Sequence, residues 1–152
     1  MGLDSYLYKK SYVRSGDWHK PEARMEVEVK TGGKVDERIK PERVKFIVEE
    51  VAYWRKSNQI HNWFVQNVQD GIDKCQSSYV SREQLEELLG VCKQVEVDNS
   101  LAGTLLPSVS GFFFGGTEYD EWYFKDISNT IVYLTEILED ELADDFEYSA
   151  SW

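Results

Sequence analysis

The sequence predicts an α+β protein in which a small antiparallel sheet is packed by about three helices in a single domain. Segments that alternate apolar and polar residues come early in the chain, and segments with apolar residues at helical spacing come later. The length of 152 residues suits one domain, and 41% hydrophobic with 30% charged residues excludes wholesale disorder. We expect this domain to span residues 1–147 and to be followed by a tail at 148–152.

Two strands and a turn are expected in the first 40 residues. Residues 3–13 alternate, so that one face carries Tyr6, Tyr8 and Tyr12 and the other carries Leu3, Leu7 and Val13. Residues 23–30 alternate more regularly and predict a strand with one buried face. Gly32 and Gly33 then allow a tight turn, with a short return strand near Val35.

The middle of the chain predicts helices. A long helix is expected from Pro41 to Gly71, with a break near Ser57 and Asn58. The residues that share one face of this helix at helical spacing are Val44, Ile47, Val51, Trp54, Asn58, His61, Val65 and Val68. A second helix opens at Ser81, because Gln84 three residues later completes a capping-box pattern. Its apolar stripe consists of Leu85, Leu88, Leu89, Cys92 and Val95.

The last third predicts a hairpin and a third helix. Residues 112–114 look like a short buried strand that pairs with 119–124, and Ile127, Ile131, Leu134, Leu138 and Leu142 predict the helix. Because carboxylates crowd the end of this helix, where the dipole disfavours negative charge, residues 148–152 are expected to fray unless Trp152 docks.

Charge is distributed unevenly along the chain. Residues 1–69 hold 13 Lys and Arg against 10 Asp and Glu, whereas residues 70–152 hold 4 against 18. The acidic half repels phosphates, so direct nucleic-acid binding is not expected there, but it can attract a basic protein groove. The residues expected to bind such a partner are Glu139, Asp140, Asp144, Asp145 and Glu147. The alternative is an acidic surface that only keeps the protein in solution.

A second candidate surface combines aromatic and hydrogen-bonding side chains on the predicted long helix. Trp54, Asn58 and His61 share a helical face at positions i, i+4 and i+7, with Arg55 and Asn62 beside them. Such groups can stack on a planar ligand and bind an anion. Phe113 and Tyr119 are expected to face this cluster. The alternative is that Trp54 is core and that Asn58 and His61 satisfy buried backbone groups.

Patterns typical of catalysis and metal binding are weak. Gly115, Gly116 and Thr117 lack the lysine of a phosphate-binding loop, and two cysteines with two histidines show no zinc spacing. No metal or cofactor is expected, although Glu118, Asp120 and Glu121 leave a magnesium site open. No apolar run is long enough to span a membrane and no signal peptide is evident, so a reduced, cytoplasmic protein is expected. The aromatic surface makes a homodimer an expectation.

Three segments of the sequence together resemble segments of other proteins. They are MGLDSYLY at residues 1–8, YWRKSNQIHNWF at 53–64 and SGFFFGGTEYD at 110–120. Together they resemble a group of small phage and prophage proteins whose members open MGLDMYLY, and Ser5 replaces the common Met. The group has no established activity, so the resemblance assigns no catalytic residue.

The resemblance implies a context of phage accessory proteins, which includes non-catalytic inhibitors of host defence. Three hypotheses follow. The first is an inhibitor that binds a host defence protein through the acidic surface, as a nucleic-acid mimic does. The second is a sponge that sequesters a nucleotide second messenger in the Trp54 cluster. The third is a nucleotide-processing enzyme that uses His61, Glu118 or Asp120 as acid–base groups.

Overall fold

The computed structural model describes residues 2–152 and confirms the α+β fold class and the antiparallel sheet. The strands are β1 (Asp4–Tyr12), β2 (Lys30–Thr31), β3 (Lys34–Val35), β4 (Phe46–Arg55), β5 (Ser78–Val80) and β6 (Phe146–Ser151). The α-helices are α1 (Asn58–Asn67), α2 (Arg82–Val97), α3 (Ala102–Leu105) and α4 (Glu121–Glu139). Four strands form one sheet in the order β4-β1-β6-β5, and β2 pairs with β3.

The single α+β domain comprises two compact units. The first unit consists of the chain up to Lys9 together with Glu50–Trp152, and the second unit is Lys10–Glu49. Charge follows the same division. The first unit holds seven Lys and Arg against twenty Asp and Glu, whereas the second holds ten against eight.

The core of the first unit lies between one face of the sheet and the helices. The alternation expected from the sequence is present in β1, where Leu7 is fully buried, and Leu3 directly before the strand is fully buried as well. Phe146, Tyr148 and Ala150 of β6 are buried on the same layer, because β6 pairs antiparallel with β1. Apolar residues of the helices complete this core, among them Phe64, Leu85, Leu88, Ile127 and Leu134.

Helices α2 and α4 pack against each other, and each begins with a side-chain cap. The capping box predicted at Ser81 and Gln84 is confirmed in full. Asp120 caps α4 by accepting hydrogen bonds from the backbone N–H groups of Trp122 and Tyr123, both at 3.1 Å. The predicted stripe of α2 is buried apart from Leu89, which is half-buried, and burial raises the pKa of the Cys92 thiol to about 12.

Arg82 joins the start of α2 to the end of α4. Its guanidinium donates to the carbonyl oxygens of Leu138 (2.7 Å), Asp140 (2.8 Å) and Ala143 (3.1 Å). A helix leaves its last carbonyls without intrahelical donors and carries negative partial charge there, so an arginine is well suited to this position. This contact lets α4 end among carboxylates, and it shows that the two helices run antiparallel.

The second unit has a hairpin and little buried apolar surface. Gly32 and Gly33 have φ values of +60° and +80°, as the predicted turn requires, and the return strand at Val35 is confirmed. The strand predicted at 23–30 is wrong for most of its length, since only Lys30 joins a ladder. The side chains there alternate in burial, but the only ladder partner is the two-residue β3.

The predicted long helix from Pro41 to Gly71 is wrong. Phe46–Arg55 is the strand β4, and the helix α1 begins only at Asn58. The chain changes direction at Lys56, whose φ is +56° and whose backbone N–H donates to the carbonyl of Leu3 at 2.7 Å. The predicted break at Ser57 and Asn58 is therefore the boundary between strand and helix.

The hairpin predicted near the C-terminus is wrong, and the tail follows the exception that the sequence prediction allowed, the docking of Trp152. Residues 112–114 form a turn instead of a strand, and 121–124 belong to α4, so no hairpin exists there. The tail at 148–152 does not fray, because β6 pairs with β1 from Phe146 to Ser151 and with β5 from Phe146 to Tyr148, and Tyr148 is fully buried. Among residues 2–152, none of the helices combines the length and apolarity of a membrane span.

Candidate functional site

The expected helical face of Trp54, Asn58 and His61 does not exist as one face. Trp54 lies on β4, where it is 3% exposed, and its indole N–H donates to the hydroxyl of Thr130 at 2.9 Å. Its ring contacts Phe64 and Tyr133. Trp54 is therefore a core residue of the first unit, which was the alternative left open by the sequence.

Asn58 fastens the loop before α4 to the start of α1. Its amide oxygen accepts from the backbone N–H of Val109 at 3.0 Å, and its amide nitrogen donates to the carbonyls of Phe114 (3.1 Å) and Gly116 (2.9 Å). The side chain is 2% exposed. These three internal bonds make Asn58 an organiser of the loop, and they leave its amide little capacity for a ligand.

His61 is buried and bonded at both ring nitrogens. Nδ1 lies 2.7 Å from the hydroxyl of Tyr148, and Nε2 lies 2.9 Å from a carboxylate oxygen of Asp73. Burial raises the pKa of Tyr148, so its hydroxyl stays protonated and can donate. In the neutral tautomer that satisfies both contacts, Nδ1 accepts from Tyr148 and Nε2 donates to Asp73. Asp73 also accepts from the indole N–H of Trp152 at 3.0 Å.

A cleft of about 410 Å³ opens beside this chain of hydrogen bonds. We name it the His61 cleft, and its walls include His61, Asn62, Asp73, Phe112, Phe114 and Trp152. Phe112 and Trp152 are largely exposed, whereas Phe114 is buried behind them. Asn62 reaches the carbonyl of Pro107 only at 3.5 Å, which leaves most of its amide available.

A second cleft of about 330 Å³ lies at the start of α4, and we name it the Arg55 cleft. Arg55, Lys56 and the exposed Trp122 line it together with three carboxylates, those of Glu118, Asp120 and Asp126. Burial raises the pKa of Asp126, although the hydroxyl of Ser57 and the amide of Gln59 partly oppose the shift. The three carboxylates offset the two cations, so this cleft is electrostatically mixed.

The remaining predicted ligand residues are separated. Phe113 is 47% exposed on the turn after Gly111, with a φ of +61°, and it contacts Phe112. Tyr119 is also exposed, and its hydroxyl accepts from the backbone N–H of Ser108 at 3.3 Å. Of the seven residues expected to form one ligand face, Arg55 and Asn58 line one cleft and His61 and Asn62 line the other. Neither cleft is lined by Trp54, Phe113 or Tyr119.

The acidic residues form a patch at one end of the helix pair, and we call it the acidic patch. Its exposed members are Glu83, Glu86, Glu87, Glu139, Asp140, Glu141 and Asp144. They lie near one another because Arg82 joins the first turn of α2 to the end of α4. Both nearby cations are engaged: Arg82 also contacts Glu86, and Lys9 pairs with Asp140 at 3.6 Å.

The other two predicted partner-binding residues lie beside this patch. Asp145 is half-buried, and Glu147 on β6 accepts from the hydroxyl of Ser77 at 2.9 Å. Next to Glu147 the outer face of the sheet carries three tyrosines. The ring centroid of Tyr6 lies 6.1 Å from that of Tyr8 and 5.4 Å from that of Tyr53. The exposed surface of the first unit therefore combines carboxylates with tyrosine rings.

Sequence reasoning missed Asp73 and Arg82, and it left the docking of Trp152 open. Asp73 sits in a turn-rich segment that gave no periodic signal, and its partner His61 is twelve residues away. Arg82 could have been found, since a lone arginine in an acidic stretch is a natural partner for the end of an acidic helix. Trp152 docks through its indole, which is the exception that the sequence prediction allowed.

The described residues 2–152 contain no group of three or more His, Cys, Asp and Glu side chains placed to hold a metal ion. Comparisons with protein-family models, with curated proteins and with solved structures found no match to this chain.

Proposed function

We propose that the protein is a non-catalytic binding protein whose acidic patch occupies a basic surface on a protein partner. The observation that carries this proposal is the charge of the first unit, a net of −13, displayed on side chains whose neighbouring cations are already engaged. A surface of this kind lowers its electrostatic energy when a basic surface approaches.

The partner class follows from chemistry and from the resemblance. Basic protein surfaces commonly bind nucleic acid, so an acidic protein that fits such a surface competes with the nucleic acid for it. The resemblance to small phage proteins favours a host defence protein as the carrier of this surface. The protein would then act as a counter-defence inhibitor of the nucleic-acid-mimic type.

An enzymatic function has less support. His61 lines a cleft, but it is 1% exposed and both of its ring nitrogens are bonded within the protein. Glu118 and Asp120 are exposed, but Asp120 is committed to capping α4. Binding without turnover is therefore the better use of these residues.

The test begins with a host-cell extract from which the immobilised protein captures a binder. The purified binder is then measured against the wild type and against a triple variant, Glu139→Lys, Glu141→Lys and Asp144→Lys. We expect the triple variant to associate about tenfold more slowly than the wild type, or slower still, because long-range attraction steers the encounter. Binding of the wild type should weaken as the salt concentration rises. Duplex DNA should compete for the same binder.

The matched control reverses three exposed charges in the second unit, Glu22→Lys, Glu26→Lys and Glu42→Lys. This variant changes the net charge by the same amount but leaves the acidic patch intact, so association should slow much less. The proposal is wrong if both triple variants bind the partner equally, or if affinity is the same at low and high salt.

A nucleotide sponge is the second candidate, favoured by the convergence of Arg55, Lys56 and Trp122 on the Arg55 cleft. The cations would bind phosphate and the ring would stack on a base. A thermal-shift series with mono-, di- and cyclic nucleotides tests it, with Arg55→Ala as the variant. A nucleotide-dependent shift that Arg55→Ala abolishes would support this candidate, and the absence of any shift would remove it.

A further inference from the structure

The His61 cleft carries an arrangement that the proposed function does not use. Asp73 carries the only carboxylate side chain in the lining of the cleft, and no lysine or arginine lines it. Its carboxylate is 27% exposed, so it faces the cleft and is not sealed behind it. Among the lining side chains, Asp73 therefore offers the only carboxylate to a ligand that enters.

Two N–H donors hold this carboxylate in place. The imidazole of His61 donates to one oxygen and the indole of Trp152 to the other, at 2.9 Å and 3.0 Å. Each oxygen keeps a further lone pair, and neither donor brings a formal charge in this tautomer. Asp73 is thus fixed in position while its negative charge stays available for a ligand.

Aromatic rings form the walls around this charge. Phe112 and Trp152 are exposed, and Phe114 meets Trp152 edge-on with ring centroids 6.1 Å apart. The faces of such rings attract cations, and most strongly where water is partly excluded. An aromatic wall beside one oriented carboxylate is the combination that recognises guanidinium and alkylammonium groups.

The loop that bears Phe112 is held in an unusual conformation. Phe113 has a φ of +61°, which is a strained value for a bulky side chain. Its carbonyl accepts from the backbone N–H of Leu3 at 3.3 Å, and Asn58 binds the carbonyl of the next residue, Phe114. Strain of this kind persists where the surroundings enforce it, and it is common at ligand-binding loops.

We propose that the His61 cleft binds an organic cation, a guanidinium or alkylammonium group, with Asp73 as its counter-ion and Phe112 and Trp152 as its walls. A phosphate-bearing ligand does not fit, because the carboxylate repels it and no cation lines the cleft. The inference does not depend on the acidic patch, and the source of the cation is either a free amine or a basic side chain on another protein.

The test is an NMR titration of the ¹⁵N-labelled protein with arginine amide. The reporter is the indole N–H signal of Trp152, assigned by its loss in Trp152→Phe. Citrulline amide is the matched probe, because it has nearly the same shape as arginine amide but no positive charge on its side chain. We expect a saturable shift with arginine amide and lysine amide, and none with citrulline amide at equal ionic strength.

Three variants localise the effect. Asp73→Asn should weaken binding by about fivefold or more, because it removes the counter-ion. Phe112→Ala should weaken it by about two- to fivefold through the lost ring, and its exposed position keeps the fold intact. Asp70→Asn, an exposed carboxylate three residues away, is the control and should bind as the wild type does.

Two short peptides separate the sources of the cation. An acetylated Gly-Arg-Gly amide that binds at least as tightly as arginine amide indicates a side chain of a protein partner, and weaker binding indicates a free amine. The proposal is overturned if arginine amide gives no saturable shift, if citrulline amide shifts the signal equally, or if Asp73→Asn and Phe112→Ala both bind normally. None of these results bears on the acidic patch.

Discussion

The two units of the chain are stabilised in different ways. Apart from Val13, every buried hydrophobic residue among residues 2–152 belongs to the first unit, where helices cover one face of the sheet. The second unit is stabilised by a hairpin whose strands have two residues each, by short turns, and by the side-chain hydrogen bonds of Asp36. Because buried apolar area is the main source of stability, the second unit is expected to open at a lower free energy than the first.

Charge separates the units as clearly as burial does. The first unit carries a net of −13 and the second a net of +2. Mutual repulsion in the first unit lowers its stability, and its extensive core offsets this cost. A large unfavourable charge retained on the well-packed unit favours a role in binding, which is why the acidic patch carries the proposed function.

The largest expected effect comes from the core of the first unit. Leu88 is fully buried on α2, so Leu88→Ala should lower the free energy of unfolding by about 3 kcal/mol. Val29→Ala, at a half-buried site in the second unit, should cost less than about 1 kcal/mol. Urea denaturation followed by circular dichroism measures both. Equal costs would contradict the difference drawn between the units.

The next effect concerns the contact that closes the first unit around its acidic end. Arg82→Ala removes three bonds to carbonyls at the end of α4 and just after it, and it should lower the free energy of unfolding by about 2 kcal/mol. Lys93→Ala, an exposed cation on the same helix, removes the same charge and is the control. If the two variants lose equal stability in urea, general charge and not the carbonyl contacts explains the role of Arg82.

The same two regions show what the sequence could predict. The capping box of α2, the turn at Gly32 and Gly33 and the first strand are local, and each is set by the chemistry of a few neighbouring residues. The strand at 23–30 failed because alternation states which face is buried but does not supply a neighbouring strand. Pairing partners are set by tertiary structure, and β3 provides only two residues.

The candidate site was harder to predict for a related reason. The spacing of Val51, Trp54 and Asn58 fits a helix, but the segment 46–55 is rich in Phe, Ile, Val, Tyr and Trp, which favour strands. That composition predicts a strand over 46–55, which places Trp54 on a different element from His61. The cleft beside His61 depends on Asp73 and Trp152, and neither is near it in sequence.

A smaller effect, below about 1 kcal/mol, is expected from the partly buried carboxyl of Asp126 in the first unit, discounted for its solvent contact. Burial raises its pKa, so the folded protein binds its proton more tightly than the unfolded chain does. Stability should therefore fall as pH rises from the ordinary carboxyl range through the raised pKa, and remain lowered above it. Asp126→Asn should stabilise the protein at pH 7 and have little effect near pH 3.

The control is Glu136→Gln, an exposed carboxylate on the same helix α4. It removes one of the excess negative charges without any change in burial, so any extra stabilisation by Asp126→Asn reports the buried carboxyl itself. Urea midpoints measured across the pH range would contradict this assignment if both variants showed the same pH dependence.

The smallest and most local effect is expected at Asp36, and it has the opposite sign. Arg38 holds the pKa of Asp36 well below its usual range, and the hydroxyl of Thr31 adds to the shift. A lowered pKa means that the carboxylate stabilises the hairpin above its ordinary pKa, and that this support is lost as pH falls through the lower, native value. Acid should therefore destabilise the hairpin of the second unit. In the first unit, protonation of Asp126 should remove the free-energy cost of burying a charged carboxylate.

Asp36→Asn tests this at neutral pH, where it should speed hydrogen exchange at the amides of Thr31, Lys34 and Asp36 and leave the core of the first unit protected. Glu37→Gln, the exposed neighbour, is the control and should leave exchange unchanged. If Asp36→Asn also speeds exchange in α2 and α4, the two units open together, and the second would have to be treated as part of the cooperative fold of the first.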